Sequence, residues 1–279
     1  MPSKVSGGVK VFTDPLKLQK WAASRKLAGK KIALVPTMGY LHEGHLSLIR
    51  RAKEKGADII VVSIFVNPVQ FCPGEDFEKY PRDIKSDLQK CLDAGVTAVF
   101  APKASDMYAS DHSVYVNEDV LSKGLCGARR PGHFRGVCTV VAKLFNIVQP
   151  NFAFFGQKDY QQAQIIKRMA RDLNFDIEIV TCPIVRESSG LAKSSRNTYL
   201  SDNERSMAET ISMGLKLLKR GKLTLNSYKK RLCDAGLKLD YVEAVDSKTL
   251  RPAKKLKRGV CVLVAAYAGK TRLIDNLII

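Results

Sequence analysis

From Lys31 onward apolar strands alternate with amphipathic helices, and this alternation constrains the fold more than any other feature of the chain. Lys31-Ile-Ala-Leu-Val-Pro36 reads as a buried strand, His45 to Lys55 as a helix, and Asp58-Ile-Ile-Val-Val-Ser-Ile-Phe-Val66 as a second strand. Strand, helix and strand in about thirty-five residues make a βαβ unit. The pattern then repeats. A helix over Phe77 to Ala94 leads to a strand at Ala98 to Ala101, a helix over Val137 to Val148 to Phe152-Ala-Phe-Phe155, and a helix over Tyr160 to Leu173 to Asp176-Ile-Glu-Ile-Val180. Such repeats predict an α/β fold, a Rossmann-like doubly wound parallel sheet with a ligand crevice at the strands' carboxyl ends. Beyond Pro183 the pattern changes to a loop, helices near Asp202 to Leu218 and Leu225 to Ala235, and strands near Asp240 to Val245 and Val260 to Tyr267. The expected division is a Rossmann-like domain over residues 1–183 and a smaller C-terminal α+β domain over residues 184–279.

With 279 residues the chain can bury a large core, and 45% hydrophobic with 26% charged residues excludes a disordered, collagenous or disulfide-scaffold chain. The longest apolar stretch, Ile59 to Val66, is too short to span a bilayer, so no membrane partner is expected. Met1 to Gly8 carries no apolar signal core, and the seven cysteines include no Cys-x-x-Cys pair; a cytoplasmic location is expected, with the cysteines as small buried hydrophobes. The net charge of +19 would suit a polyanionic partner, but the cations of Lys216 to Arg231 and Lys248 to Arg258 lack interleaved aromatics. A solvated basic face is expected there, and nucleic acid is not.

The sharpest local signal is Pro36-Thr-Met-Gly-Tyr-Leu-His-Glu-Gly-His45, at a strand-to-helix turn. Its His-x-Gly-His pattern places His42 and His45 on the first helical turn. There the helix amino terminus offers N–H groups and a positive dipole to a triphosphate. Gly39 and Gly44 allow close approach of backbone and nucleotide. Zinc is a weaker option, because no third ligand is obvious and Glu43 points off the shared face. A second signal, Leu191-Ala-Lys-Ser-Ser-Arg-Asn197, supplies two cations and two hydroxyls within Lys193 to Arg196, suited to clamping phosphates. Taken alone, such a run is more often a plain exposed loop.

Three further stretches carry polar groups, the first two of them at strand ends. Phe65-Val-Asn-Pro-Val-Gln-Phe71 offers the amides of Asn67 and Gln70, where Asn-Pro also reads as an ordinary turn. Gly156-Gln-Lys-Asp159 places a cation and a carboxylate between a strand and a helix. Arg130-Pro-Gly-His-Phe-Arg-Gly136 adds His133, Arg130 and Arg135, candidates for retaining an anionic substrate.

The His-x-Gly-His turn followed late in the chain by a basic serine loop resembles the nucleotidyltransferase superfamily. Together with Tyr80-Pro-Arg82 and the stretches above, in order and spacing, it resembles the pantothenate synthetase (pantoate–β-alanine ligase) family from about Lys31 to Arg272-Leu-Ile-Asp-Asn276. The resemblance implies ATP-dependent condensation of pantoate with β-alanine through a pantoyl-adenylate. It implies an ATP site of Met38, Gly39, Tyr40, Leu41, His42, Glu43, Gly44 and His45, with Gly156, Gln157, Lys158, Asp159, Val185, Lys193, Ser194, Ser195 and Arg196. It also implies Gln70 and Gln162 on pantoate, Gln70 near β-alanine, and His45 as the catalytic proton donor. Mg²⁺ is implied with ATP, near Asp159 directly or through water, with no protein metal site. The first domain would then bind nucleotide and pantoate, the second would act as a lid, and the assembly would be a homodimer.

One departure stands out. The family usually has Met or Leu where this chain has Lys193, which turns an apolar contact into a cation. On the residues alone, two other readings stay open: a nucleotidyltransferase with a different acceptor, and, from the charge, a nucleic-acid-binding protein.

Overall fold

The computed structural model describes Ser3–Lys4 and residues 8–279, and the chain falls into two compact units. The first comprises residues up to Asp119, Arg130–Gly156 and Ile165–Cys182; the second comprises Val120–Arg129, Gln157–Gln164 and Pro183–Ile279.

The first unit is built on β1 (Ser3–Lys4), β2 (Lys10–Phe12), β3 (Ile32–Thr37), β4 (Ile59–Ile64), β5 (Ala98–Phe100), β6 (Phe152–Gly156) and β7 (Glu178–Cys182), in the order β1-β2-β5-β4-β3-β6-β7. All neighbouring pairs are parallel except β1 with β2. Parallel strands need crossovers. These are α1 (Pro15–Leu27), α2 (Glu43–Glu54), α3 (Ile84–Asp93) with the short α4 (Ala104–Met107), then α6 (His133–Val148) and α7 (Tyr160–Asp172), after the short α5 (Leu125–Arg129) of the second unit. The central strands are buried on both faces, which is why Ile32-Ala-Leu-Val35 and Ile59-Ile-Val-Val62 are continuously apolar rather than alternating. Chain order reverses across β3, with β4 on one side and β6 on the other; this switch point opens the crevice that α/β sheets use for ligands.

The second unit packs α8 (Asp202–Lys219) and α9 (Leu225–Asp234) with an antiparallel sheet of β8 (Lys238–Asp246), β9 (Val260–Ala268) and β10 (Thr271–Ile278), ordered β10-β9-β8. Ile211 and Leu215 of α8, Tyr228 and Leu232 of α9, and Val242, Val262 and Val264 of the sheet form its core. A Ser201–Glu204 capping box starts α8, and Thr224 caps α9. Lys254, Lys255, Lys257 and Arg258 are exposed in the β8–β9 connection.

The alternation of the sequence thus gives the α/β class and the parallel sheet. Several details differ. The helix expected over Phe77 to Ala94 is only Ile84–Asp93. A proline inside a helix costs about 3 kcal/mol, so Pro81 ends that possibility; Arg82 instead donates to the carbonyls of Phe77, Glu78 and Tyr80, and Asp83 caps α3 through the Ser86 amide. Helix α6 begins at His133, not Val137. Helix α1 and strands β2 and β10 have no counterpart in the sequence reading. Among the described residues no helix is long and apolar enough to cross a membrane. Five of the seven cysteines are buried, Cys72 is partly buried and Cys233 is exposed; none is bridged, and burial pushes the thiols of Cys91, Cys138 and Cys261 up to about 12.

Candidate active site

In the first unit, β3 runs into the turn that launches α2. Thr37 donates its hydroxyl to the Ser63 carbonyl at 2.6 Å and accepts the Gly39 amide at 3.1 Å. Gly39 (φ +81°) and Tyr40 (φ +51°) then take left-handed conformations. A Cβ on Gly39 would lie 2.9 Å from Ile64 and 3.0 Å from Asp87, so the turn requires glycine both sterically and conformationally. Asp87, buried on α3, accepts the amides of Tyr40 and Leu41 at 2.8 and 2.6 Å, while Lys90 donates to the Leu41 carbonyl at 2.8 Å. Burial raises the Asp87 carboxyl above its ordinary range, opposed by those two amides and by Lys90.

His42 is the N-cap of α2 and His45 its third residue, with ring centroids 4.1 Å apart. Nδ1 of His42 accepts the Gly44 amide at 3.1 Å, and Nδ1 of His45 accepts the His42 amide at 3.2 Å. An accepting Nδ1 carries no proton, so in each neutral imidazole the proton sits on Nε2. Both rings are thereby fixed as Nε2 donors at a helix amino terminus, where negative charge is favoured. A Cβ on Gly44 would meet the His42 ring at 2.8 Å; glycine there makes room for the capping imidazole. Glu43 pairs with Arg50 along α2 rather than with the imidazoles.

Gln70 closes the single helical turn Pro68–Gln70, capped by buried Asn67. Its side-chain oxygen accepts from Asn67 at 3.1 Å, and its amide nitrogen lies 3.1 Å from the Met38 sulfur. Gly136 of α6 packs directly on this turn: a Cβ there would sit 2.4 Å from the Val69 carbonyl oxygen. His133 Nδ1 is 2.7 Å from the Gln70 carbonyl, Arg130 is 3.0 Å from His133 Nε2, and Glu75 holds Arg130 at 2.5 Å. Arg135 stacks over Tyr115 at 3.7 Å. The basic residues of the Arg130 to Gly136 stretch are thus engaged with the protein's own groups. A cavity of about 320 Å³ opens beside Met38, Gly39 and Phe65, with Arg82 and Asp87 in its wall.

In the second unit, Gln157–Asp159 forms a single turn after Gly156 ends β6. Lys158 and Asp159 pair at 3.4 Å, their side chains 21% and 45% exposed; the cation is the more sheltered and the carboxylate the more open to a hydrated ion. Gln162 lies half-buried in the first turn of α7. Its neighbour Gln161 is buried and holds the 121–126 segment, donating to the Leu121 and Gly124 carbonyls at 2.8 Å each and accepting the Cys126 amide at 2.9 Å. The basic loop leaves a short hairpin in which the Lys193 amide donates to the Val185 carbonyl at 2.9 Å and Arg186 bridges to Ala192. Ser194 then caps a helical turn over Ser195–Tyr199, accepting the Arg196 amide at 3.3 Å. Asn197, buried, ties the turn back to Glu187 at 2.8 Å and to the Ala192 carbonyl at 3.1 Å.

Of the residues expected from the sequence, Met38 to His45, Gln70 and Gly156 lie in the first unit, and Gln157 to Asp159, Gln162, Val185 and Lys193 to Arg196 lie in the second. From the sequence Asp87 and Gln161 receive no role, and neither do Gly136 or the Asp275–Asn276 pair, although these last fall within stretches that carry the family resemblance. A glycine inside an apolar helix is a usable sign for Gly136; the others look like ordinary polar residues until their partners are known.

Mg²⁺ keeps most of its water and binds through substrate phosphates and one or two carboxylates. Asp159, half exposed beside Lys158, suits such a carboxylate.

The family described as pantoate-beta-alanine ligase matches this chain over residues 10–278. The chain is 55% identical over 271 residues to pantothenate synthetase of Thermosipho melanesiensis, covering 94% of this chain and 96% of that one. It is 54% identical over 270 residues to pantothenate synthetase of Clostridium novyi, covering 94% and 95%. Among solved structures it resembles pantothenate synthetase from Thermus thermophilus (TM-score 0.87, 40% identity, 96% of this chain and 98% of that one). It also resembles pantoate-beta-alanine ligase from Francisella tularensis complexed with beta-gamma ATP and beta-alanine (TM-score 0.84, 34% identity, 97% of each chain).

Proposed function

The chain belongs to the pantoate-beta-alanine ligase family, and from that membership we propose the following account of its chemistry and of the residues that perform it. The enzyme condenses pantoate with β-alanine at the expense of ATP, giving pantothenate, AMP and pyrophosphate. A pantoate carboxylate oxygen attacks the ATP α-phosphorus, and the bond to the β-phosphate oxygen breaks to release pyrophosphate. The β-alanine amine then attacks the acyl carbon of pantoyl-adenylate. The bond to AMP breaks, and the amine proton is lost as the amide forms.

The observation that carries the residue assignment is the His42–His45 pair, held as Nε2 donors at the start of α2. His45 donates to the charge developing on the phosphate, and His42 supports it from the N-cap of the same turn; donors fixed in advance of the reaction cost no reorganisation during it. Met38 to Gly44 contribute backbone to the nucleotide. Lys158, Lys193, Ser194, Ser195 and Arg196 neutralise the phosphates and the departing pyrophosphate. Gln70 and Gln162 read pantoate, with Gln70 also next to the incoming β-alanine. Mg²⁺ arriving with ATP would meet Asp159 and supply charge neutralisation. The same reading includes a homodimer in the cytoplasm.

Profiling acceptors and nucleotides by pyrophosphate release tests this function. Release that requires ATP, pantoate and Mg²⁺ and yields pantothenate with β-alanine is expected. Turnover of another acid or of CTP, with pantoate inert, points instead to a different nucleotidyltransferase.

A further inference from the structure

The closing strand of the second unit carries two buried polar side chains, Asp275 and Asn276, with relative exposures of 4% and 1%. Buried polar groups are retained where their partners are specific. The Asn276 carboxamide donates to the carbonyls of Gln157 at 2.8 Å and Lys158 at 3.0 Å, and its oxygen accepts from the Gln157 side chain at 3.2 Å. One side chain thus satisfies two peptide carbonyls of the turn that presents Lys158. Asp275 holds Arg186 in a fork, at 2.6 and 2.9 Å, and the same guanidinium donates to the Gly190 carbonyl at 3.0 Å. Arg186 belongs to the hairpin closed by its bridge to Ala192 and by the Lys193 amide on Val185, from which Ser194 to Arg196 follow directly.

Consecutive side chains on a strand point to opposite faces. Two adjacent residues of β10 therefore hold two separate loops, one from each side. We propose that Asp275 and Asn276 are positioning residues that set the spacing between Lys158 and the Lys193 to Arg196 loop, and so the fit of both to the phosphates of ATP. This rests on the assignment of Lys158, Ser195 and Arg196 to those phosphates. Each acts through the loop it holds.

Asn276→Asp tests the proposal, since it keeps the shape and the acceptor for Gln157 but turns a carboxylate toward two carbonyls. The expected result is a loss of about tenfold to hundredfold in kcat/KM for ATP, the size that follows from a small misplacement of a catalytic group. The KM values for pantoate and β-alanine stay unchanged, ATP binding measured by calorimetry weakens, and the loss largely disappears in a Lys158→Ala background because the two changes act on one contact. Should Asn276→Asp fail to fold, Asp275→Asn, which weakens the Arg186 fork without changing its shape, carries the same test with Arg196→Ala as the background. Folded variants that lose only melting temperature overturn the proposal, as does an equal loss for pantoate and ATP. Wild-type protein that binds ATP but leaves pantoate untouched counts against the assigned reaction, while the calorimetric comparison still decides the role of Asn276.

Discussion

Asp87 of α3 accepts the amides of Tyr40 and Leu41 at 2.8 and 2.6 Å, fastening one helix to the turn from which the preceding one starts. The left-handed Tyr40 and the N-cap His42 both depend on that anchorage. In Asp87→Asn one acceptor oxygen is replaced by an amide facing a backbone N–H. We expect a loss of about 1–3 kcal/mol in stability from the unpaired groups, together with a fall in kcat of about tenfold or more because His45 shifts. Calorimetry and steady-state kinetics check both; a stable variant with wild-type kcat removes Asp87 from the account.

Gly136 is a packing requirement for Gln70. A methyl group there would lie 2.4 Å from the Val69 oxygen and 2.7 Å from the Gln70 Cα, distances that force the turn to move. Gly136→Ala is expected to raise the KM for pantoate while leaving ATP binding intact. Equal effects on both substrates would mean that the whole unit is disturbed.

The Glu75–Arg130–His133 chain fixes the Gln70 carbonyl. Arginine only donates, so His133 Nε2 accepts and Nδ1 carries the proton given to Gln70. His133→Leu removes that donor and should raise the pantoate KM, whereas His133→Asn, which can replace the Nδ1 donor, should recover much of the loss. Failure of the asparagine to recover more than leucine contradicts this relay.

The same chain predicts a response to acid. Burial alone raises the Glu75 carboxyl, but hydrogen bonds and charge from Arg130 outweigh it and hold Glu75 below its ordinary value. A carboxyl with a lowered folded-state pKa binds protons more readily when unfolded. Its contribution to stability is present above the ordinary carboxylate range and is lost as pH falls through the lowered value. The melting temperature of the wild type should therefore drop more steeply on acidification than that of Glu75→Gln. Parallel curves would show that the pair adds nothing.

Lys193→Met replaces the cation by the apolar residue type that the family resemblance leads one to expect at this position. With Lys193 in the phosphate clamp, the ATP KM is expected to rise severalfold and to lose some of its salt dependence. An unchanged KM places the ammonium in solvent.

Much of this is legible in the sequence because it rests on local pattern. The buried runs of β3 and β4 have no reason to be continuously apolar except a parallel sheet covered on both faces. His42, Gly44 and His45 announce their turn because cap, glycine and third helical residue are set by near-neighbour geometry. What the sequence does not display is long-range pairing. Asp87 reaches a turn more than forty residues earlier, and Asn276 grips a turn more than a hundred residues earlier. Nothing in the residues around either one records the partner. The short strand β2 and the edge strand β10 escape notice for a related reason, since their identity depends on the neighbours they pair with.

The central claim is tested most directly by AMP formation from ATP and Mg²⁺ with pantoate, with and without β-alanine, in the wild type and in His45→Ala. Sustained AMP release is expected in the wild type only when both pantoate and β-alanine are present, and a collapse of that release in the variant. Turnover that survives His45→Ala, or wild-type protein inert toward pantoate, contradicts it.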